Sequence, residues 1–468
     1  MILHDIPSVR QLRVFTAIAA SESISGAAKA VNLSQPGVTE SVRALEHRVG
    51  ARLFERSGSG CYPTASGAAL LPRVRRFFDQ LHAALHAGPG ITISAPVPNV
   101  ALNRITGPQI RSLIAVSESS SFDAAARALA ISEPSLHRSA RSLEHELRRR
   151  LYQRTSQGMT TTPLGSEIAR RFQIALRELA YGMEELQAAR GNVVTRIVVG
   201  NIPHSGTQVL SAAINAFLAS YPTATVEIID GHYEALLDDL RSGKLDLLFG
   251  VLRRPDWASD VAEEMLFEDR YVVVGGAGHP LRRQKVLSLR ALAGYDWIMP
   301  GPMTPRHQAF RRMFASLPAL PRISIETTSL QIYRDLLSTT DKLTLMSALE
   351  AQFNEPSKLA VLPFRSAQLH RCDGIATRAG WRPTPIHRHF LEALRTHAPR
   401  SSKPVRGRPA RRAIQLWGSA CAPGHPISSL RRRCPSRIRR ESMSGDHRLR
   451  GGSAPAPVDR RRAFATRC

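Results

Sequence analysis

Ser34-Gln35-Pro36 and Ser132-Glu133-Pro134 are the residue groups best suited to chemistry in this chain, and that chemistry is recognition rather than bond-making. A serine just before a helix is a good cap, and a proline is tolerated in the first turn, where its missing N–H costs nothing. A helix N-terminus with such a hydroxyl also suits a phosphate group. On the helix that follows the first triplet, Gln35, Thr39, Glu40 and Arg43 turn outward, while Val38, Val42, Leu45 and Val49 turn inward. The second triplet is followed by His137, Arg138 and Arg141. Arg56 and Arg154 lie beyond, in short extended pieces. Cations and polar side chains on one helix face fit a polyanionic duplex: the cations meet phosphates, and the helix start meets base edges.

The two triplets belong to one repeated module. Residues 11–67 slide onto 109–165 without a gap, and twenty-one of fifty-seven paired positions are identical. Register that survives a helix, a turn and a glycine-containing loop indicates duplication. Within the first copy the spacing predicts helices over 9–20, 24–31 and 35–49. Two short strands around a Ser/Gly tip follow, which together make a winged helix-turn-helix.

Other kinds of chemistry find little support. The five cysteines are scattered, and no CxxC pair or His–Cys cluster suggests a zinc site or a disulfide scaffold. There is no GxSxG, HExxH or P-loop, and the glycines before His279-Pro280 lack the lysine that a phosphate cradle needs. We expect neither enzyme activity, metal nor cofactor. The start of the chain shows no export signal and no window shows a membrane span, which leads us to expect a cytoplasmic protein.

The net charge of +26 is unevenly distributed. Residues 400–468 hold eighteen Lys/Arg against three Asp/Glu, which is +15 and leaves +11 for the rest. This Arg/Pro/Ser-rich tail is expected to be disordered, either as a polyanion-binding arm or as a merely solvated, even out-of-frame, extension. From 196 to 398, short apolar runs such as RIVVG, TVEII and LDLLFG alternate with helix-length segments. That rhythm predicts an α/β region with largely parallel sheets.

The repeated stretch resembles the DNA-binding domain of LysR-type transcriptional regulators. The features that carry the resemblance are Ala27-Ala28, the Ser34 triplet, Leu45-Glu46, Leu53-Phe54-Glu55-Arg56 and Thr64 to Gly67, with counterparts ninety-eight residues on. The stretches VVGNIPHSGTQ, GHYEALLDDL, FEDRYVVVGGAGHPL and ETTSL resemble the same family's effector domain. Glu40 and Glu133 depart from the pattern, since they place carboxylates near phosphates. The resemblance implies a multidomain chain: two α-rich winged helix-turn-helix domains, then a two-lobed α/β effector domain built like periplasmic binding proteins, then the basic tail. The expected boundaries are 7–88, a linker at 89–105, 106–165, a dimerisation helix at 166–190, 195–398 and 399–468. DNA-contacting residues would be Ser34, Gln35, Pro36, Thr39, Arg43 and Arg56, with Ser132, Glu133, Pro134, His137, Arg138, Arg141 and Arg154 in the second copy. Effector-binding residues would be Ile202, His204, Ser205, Thr328 and Ser329. The implied partners are double-stranded DNA, a small organic acid or sugar-derived effector, further copies in a homodimer or homotetramer, and RNA polymerase, with no membrane. The alternative is a small-molecule binding protein of this fold that has lost DNA binding. The helix expected over 166–189 would pair two subunits or pack within its own chain. The second module would be coupled to the effector and the first, on its Pro/Gly-rich connector, would be coupled less directly.

Overall fold

A computed structural model describes residues 7–58, 60–86, 104–119, 121–156, 158–191, 195–203, 206–253, 259–352 and 358–399. The expected linker falls almost wholly outside these residues, as do His204, Ser205 and the basic tail.

The first module runs α1 (Val9–Ser21), α2 (Ile24–Val31), α3 (Gln35–Val49), β1 (Phe54–Ser57) and β2 (Gly60–Pro63), then α4 (Ala65–His86). The second repeats it as α5 (Gly107–Glu118), α6 (Phe122–Ala128), α7 (Glu133–Leu147), β3 (Tyr152–Thr155), β4 (Gly158–Thr161) and α8 (Pro163–Ala188). Side-chain oxygens of Ser23, Ser34, Ser121 and Thr162 each accept a hydrogen bond from the backbone N–H three residues on, which starts α2, α3, α6 and α8. Leu12, Phe15, Ile18, Ala27, Val38 and Leu45 are buried in the first copy, and Ile110, Leu113, Ala125, Leu136 and Leu143 in the second. Ser41, rather than Val42, takes a fully inward place on α3.

The largest departure from expectation is the placement of α4, which runs from Ala65 to His86. It lies against α8 of the same chain, and one continuous apolar core runs from Val9 through Phe77 and Leu81 to Phe172 and Leu186. Arg73 is buried in this seam. Its Nη1 donates to Glu178 at 2.9 Å and its Nη2 to Glu185 at 2.6 Å. Arg76 reaches the other Glu178 oxygen at 2.9 Å. The pairing of α8 is therefore internal, and the first module is held by far more than a connector.

The regulatory region begins with β5 (Arg196–Asn201), α9 (Thr207–Ser220), β6 (Thr225–Asp230), α10 (Tyr233–Ser242) and β7 (Leu247–Val251). A long β8 (Val261–Gly276) follows, then α11 (Leu289–Ala293), β9 (Trp297–Met299), α12 (Pro305–Met313), β10 (Ile323–Glu326), α13 (Leu330–Thr339), β11 (Thr344–Ser347) and α14 (Ala348–Ala351). The last elements are β12 (Leu359–Val361), β13 (His370–Arg378) and α15 (Pro385–His397). The sheet order is β11-β8-β13-β7-β5-β6, with β12 also on β8. β5 pairs β6 and β7 in parallel, but β8 pairs β11, β12 and β13 antiparallel, so the sheet is mixed rather than largely parallel. The first part of β8 pairs β13, and its second part carries β11 and β12. Its length thus joins the two lobes. One lobe has its core under α9 and α15 and the other under α12.

Asp246, fully buried, ties α8 to the first lobe. It accepts from Tyr181 Oη at 2.5 Å, from Arg177 Nη2 at 3.0 Å and from the Val198 N–H at 2.8 Å. His387 Nε2 lies 3.4 Å away. Burial alone would raise the carboxyl's pKa, but Arg177, the adjacent His387 and the hydrogen bond from Tyr181 hold it well below the usual range. Because the folded value is depressed, the stabilisation is full above the unfolded pKa of about 4 and is lost as pH falls below it. Replacement Asp246→Ala leaves Arg177 buried with only the more distant Glu184, at 3.6 Å, and should cost about 3–5 kcal/mol in urea unfolding at pH 7. The gap from the unaltered chain should narrow when the titration is repeated below about pH 4.

Candidate DNA-reading surface and effector cleft

The two helix-turn-helix units present their triplets differently. Ser34 Oγ accepts from Gly37 N–H at 3.3 Å, so this hydroxyl acts as a cap while its exposed side stays open. Ser132 makes no cap bond; its hydroxyl donates to Ser135 Oγ at 2.9 Å, which also accepts from Arg138 at 2.8 Å. Gln35, Pro36, Arg43 and Arg56 are exposed and Thr39 is half-buried. In the second copy Glu133, Pro134, Arg138, Arg141 and Arg154 are exposed. His137 is drawn back, stacked on Phe122 with 4.6 Å between ring centroids, and its Nε2 lies 3.5 Å from Glu133.

Some residues of the repeat have positioning duties that the sequence does not announce. Glu46 Oε1 accepts from the N–H groups of Leu53 and Phe54 at 2.7 and 3.2 Å. Glu144 does the same for Leu151 and Tyr152 at 2.7 and 3.1 Å. Each glutamate fixes the root of its wing against the recognition helix. Thr64 donates to the Arg52 carbonyl, and Thr162 to that of Arg150. A Cβ on Gly67 would lie 2.1 Å from the Leu53 oxygen, and one on Gly165 2.2 Å from the Leu151 oxygen. The twin threonine–glycine spacing therefore closes wing onto helix, and only glycine fits there.

Between the lobes lies a cavity of about 280 Å³ whose lining includes Ile202, Tyr233, Arg253, Arg306, Thr328 and Arg371. Of the expected effector residues, Ile202 and Thr328 line it, whereas Ser329 caps α13 by accepting from Ile332 N–H at 3.4 Å. Each cleft arginine is steadied by a carboxylate from outside the lining. Arg253 Nη1 donates to Glu234 at 2.9 Å, Arg306 Nη2 to Glu350 at 3.0 Å and Arg371 Nε to Asp373 at 2.7 Å. Burial works against the charge of Arg371, but Asp373 more than compensates and keeps it cationic. Arg253 Nε, Arg306 Nη1 and the Tyr233 hydroxyl are buried without a hydrogen-bond partner among the described residues. Burial, and next Glu263, push the Tyr233 phenol up to about 12, so it remains a donor. Neither these three arginines nor Tyr233 was expected from sequence. Position relative to the strands was the available signal, since Arg253 follows β7 and Arg306 lies in the first turn of α12 after β9.

His279 is buried and serves a turn, its Nδ1 accepting from Leu281 N–H at 3.1 Å. Among the described residues there is no cluster of three or more potential metal ligands, and no helix long and apolar enough to cross a membrane.

Two winged helix-turn-helix units joined to a two-lobed sensor with a polar cleft define a ligand-responsive DNA-binding regulator. The chain matches the lysR-family bacterial regulatory helix-turn-helix twice, over 9–68 and 108–166, and the LysR substrate binding domain over 190–399. It belongs to the LysR family of transcriptional regulators. It is 29% identical over 397 residues to the HTH-type transcriptional regulator GalR of Pseudomonas putida, covering 84% of this chain and 98% of that one. It is 26% identical over 298 residues to PcaQ of Agrobacterium fabrum, covering 63% and 96%. Among solved structures, a full-length OxyR point variant from Pseudomonas aeruginosa is 22% identical, covers 62% of this chain and 94% of that one, and has a TM-score of 0.49.

The wing geometry carries its own test. Replacement Glu144→Ala strips two backbone N–H groups of their acceptor and should destabilise the second module by about 1–3 kcal/mol. Hydrogen exchange at Leu151 and Tyr152 should accelerate while the amides of β1 stay protected. Equal loosening of both wings would show that Glu144 acts on the whole module pair instead.

Proposed function

We propose that this regulator senses a small organic anion in the interlobe cleft and uses it to change how its paired heads hold DNA. The observation that carries this reading is the convergence of Arg253, Arg306 and Arg371 on one cavity, with donor groups of Arg253, Arg306 and Tyr233 buried and unmatched among the described residues. A buried, unmatched cationic donor is costly, and a carboxylate is its natural complement. Tyr233 and Ile202 supply apolar wall, which favours a compact organic acid over a bare inorganic ion. A sugar-derived acid fits the same cations. Thr328 serves as a hydroxyl contact, and His204 and Ser205 remain assigned to the site from their sequence position.

On the DNA side, the assignment is Ser34, Gln35, Pro36, Thr39, Arg43 and Arg56 with Ser132, Glu133, Pro134, His137, Arg138, Arg141 and Arg154. Exposure of most of these supports it. The chain acts in the cytoplasm, performs no catalysis, and assembles further into a homodimer or homotetramer. Heads at 7–88 and 106–165, the 166–190 helix and the 195–398 sensor are its working parts. Closure of the cleft shifts the lobes. The movement passes to α8 through Asp246, and to α4 through Arg73 and Arg76, which donate to the Arg382 and Gly380 carbonyls at 2.9 Å each. Both heads are therefore coupled to the sensor, rather than the second alone.

Removing residues 400–468 takes away eighteen cations against three acids. Binding to non-specific duplex should weaken and its salt dependence should flatten in titrations between low and moderate salt, with operator specificity retained. An unchanged salt slope would remove the tail from DNA contact.

The cleft is tested by calorimetry of the full chain against matched small carboxylates, their neutral amides and neutral sugars. Carboxylates should bind, amides and sugars should not, and Arg306→Gln should weaken binding by about ten- to a hundredfold. Tighter binding of a neutral sugar, or unaltered affinity in the Arg306 variant, would overturn the reading.

A further inference from the structure

We infer that a single chain is already a complete two-headed DNA reader, and that the partner it fits is a duplex bearing two different half-sites, not a palindrome. This rests on the DNA-reading role of the modules and adds to it the number of chains per site and the symmetry of the site.

Three observations carry the geometry. First, α4 and α8 are equivalent helices of the two copies, and they run antiparallel. Gly182 lies against Leu70 and Arg73, while Arg76 reaches back to Glu178, so numbers fall along one helix as they rise along the other. Second, residues 7–10, 13 and 14 of the first copy and 104–108 and 111 of the second line one cavity between the copies, to which 30–33 and 48 are added from the first copy alone. Under the ninety-eight-residue offset Val9 corresponds to Gly107, so like meets like, as happens on a two-fold axis. Third, the far end of α8 reaches the first head: a Cβ on Gly50 would be 2.9 Å from Arg190 Nη1. The heads thus sit at opposite ends of a rigid pair of helices of 22 and 26 residues. At 1.5 Å per residue the two helices are about 33 and 39 Å long, close to one turn of B-DNA.

The seam is closed to looser arrangements. A Cβ on Gly182 would fall 2.8 Å from Leu70 Cδ1. Arg73 is sandwiched between Glu178 and Glu185 with its guanidinium 5.4 Å from the Tyr181 ring centroid. A buried charge network of this kind selects one register, because any other leaves ions unpaired.

The two reading faces differ chemically. The first offers Gln35, Thr39 and Arg43, and an amide pairs with adenine through N6 and N7. The second offers Glu133, His137 and Arg141, and a carboxylate only accepts, as from cytosine N4. A symmetric operator would match one head and mismatch the other.

The test is selection of bound duplexes from a randomised library with the full-length chain, followed by native mass measurement on the enriched duplex. The expected result is two unlike half-sites about one helical turn apart, with one chain for each such pair of half-sites. The exposed replacement Glu133→Gln should then change base preference in one half only, and Gln35→Glu in the other half only. Gly182→Leu should cost the composite site about tenfold or more by separating the heads, with each isolated half-site still bound weakly. A palindromic consensus, or two chains on one pair of half-sites, would overturn the inference while leaving the DNA-reading role intact. Enrichment of no sequence at all would sink that role and the inference together.

Discussion

The Asp246 carboxylate is the contact on which the arrangement of the whole chain turns. It has no exposed surface, yet it stays ionised because α8 brings Arg177 and Tyr181 to it and β5 brings the Val198 N–H. Its own N–H donates back to the Val198 carbonyl at 2.9 Å, so backbone and side chain hold the same strand. Arg378, at the end of β13, adds bonds to the Leu240 and Leu245 carbonyls and to the Tyr181 hydroxyl. An ion in such surroundings contributes little net stability compared with an apolar replacement, but it tolerates only one geometry. That selectivity fixes the rotation of α8 about its axis. The faces that α8 offers to α4 and to the first lobe are then both determined.

The seam between α4 and α8 repeats the device. Arg73 is surrounded by Glu178 and Glu185, and the Gly380 and Arg382 carbonyls complete the shell around Arg73 and Arg76. Sensor backbone is thus built into the joint between the heads. Lobe movement cannot leave that joint untouched unless these donors lose their acceptors, and a lost bond to a charged donor costs about 1.5–3 kcal/mol. Coupling of that size is enough to bias two arrangements of the heads by tenfold or more.

What the sequence made legible was local and periodic. The repeat, its caps and the helices of both heads could be read because their signals lie within a few residues of one another, as with Ser34 and Gly37 or Thr162 and Gly165. What it concealed was long-range. Arg73 reads as one more solvated charge on an amphipathic helix, and only folding brings Glu178 to it from 105 residues away. The first half of β8, with Glu263, Glu264, Glu268 and Asp269, lacks the apolar run that marks a buried strand, and β13 carries His370, Arg371 and Asp373 at its start. Both were missed, and with them the antiparallel half of the sheet. The cleft shows the same division. Ile202 and Thr328 were reachable through motif resemblance, whereas Arg253 follows β7, Arg306 lies in the first turn of α12 and Arg371 is at the start of β13, and the three share no sequence pattern.

Duplication explains why a buried charge network was needed at the seam. Two identical subunits meeting on a symmetry axis find their register automatically, since every contact is made twice. Two diverged copies in one chain do not have that redundancy: Gly50 at the end of α3 answers to Arg148 at the end of α7, and Glu133 answers Gln35. The apolar core they share is non-directional and would accept sliding of α4 along α8 at modest cost. Arg73 removes that freedom, because a slip of one turn would withdraw Glu178 and Glu185 together and leave a guanidinium buried without an anion. Specific pairing thus compensates for lost symmetry, and the spacing of the heads becomes a property of the chain itself instead of its concentration.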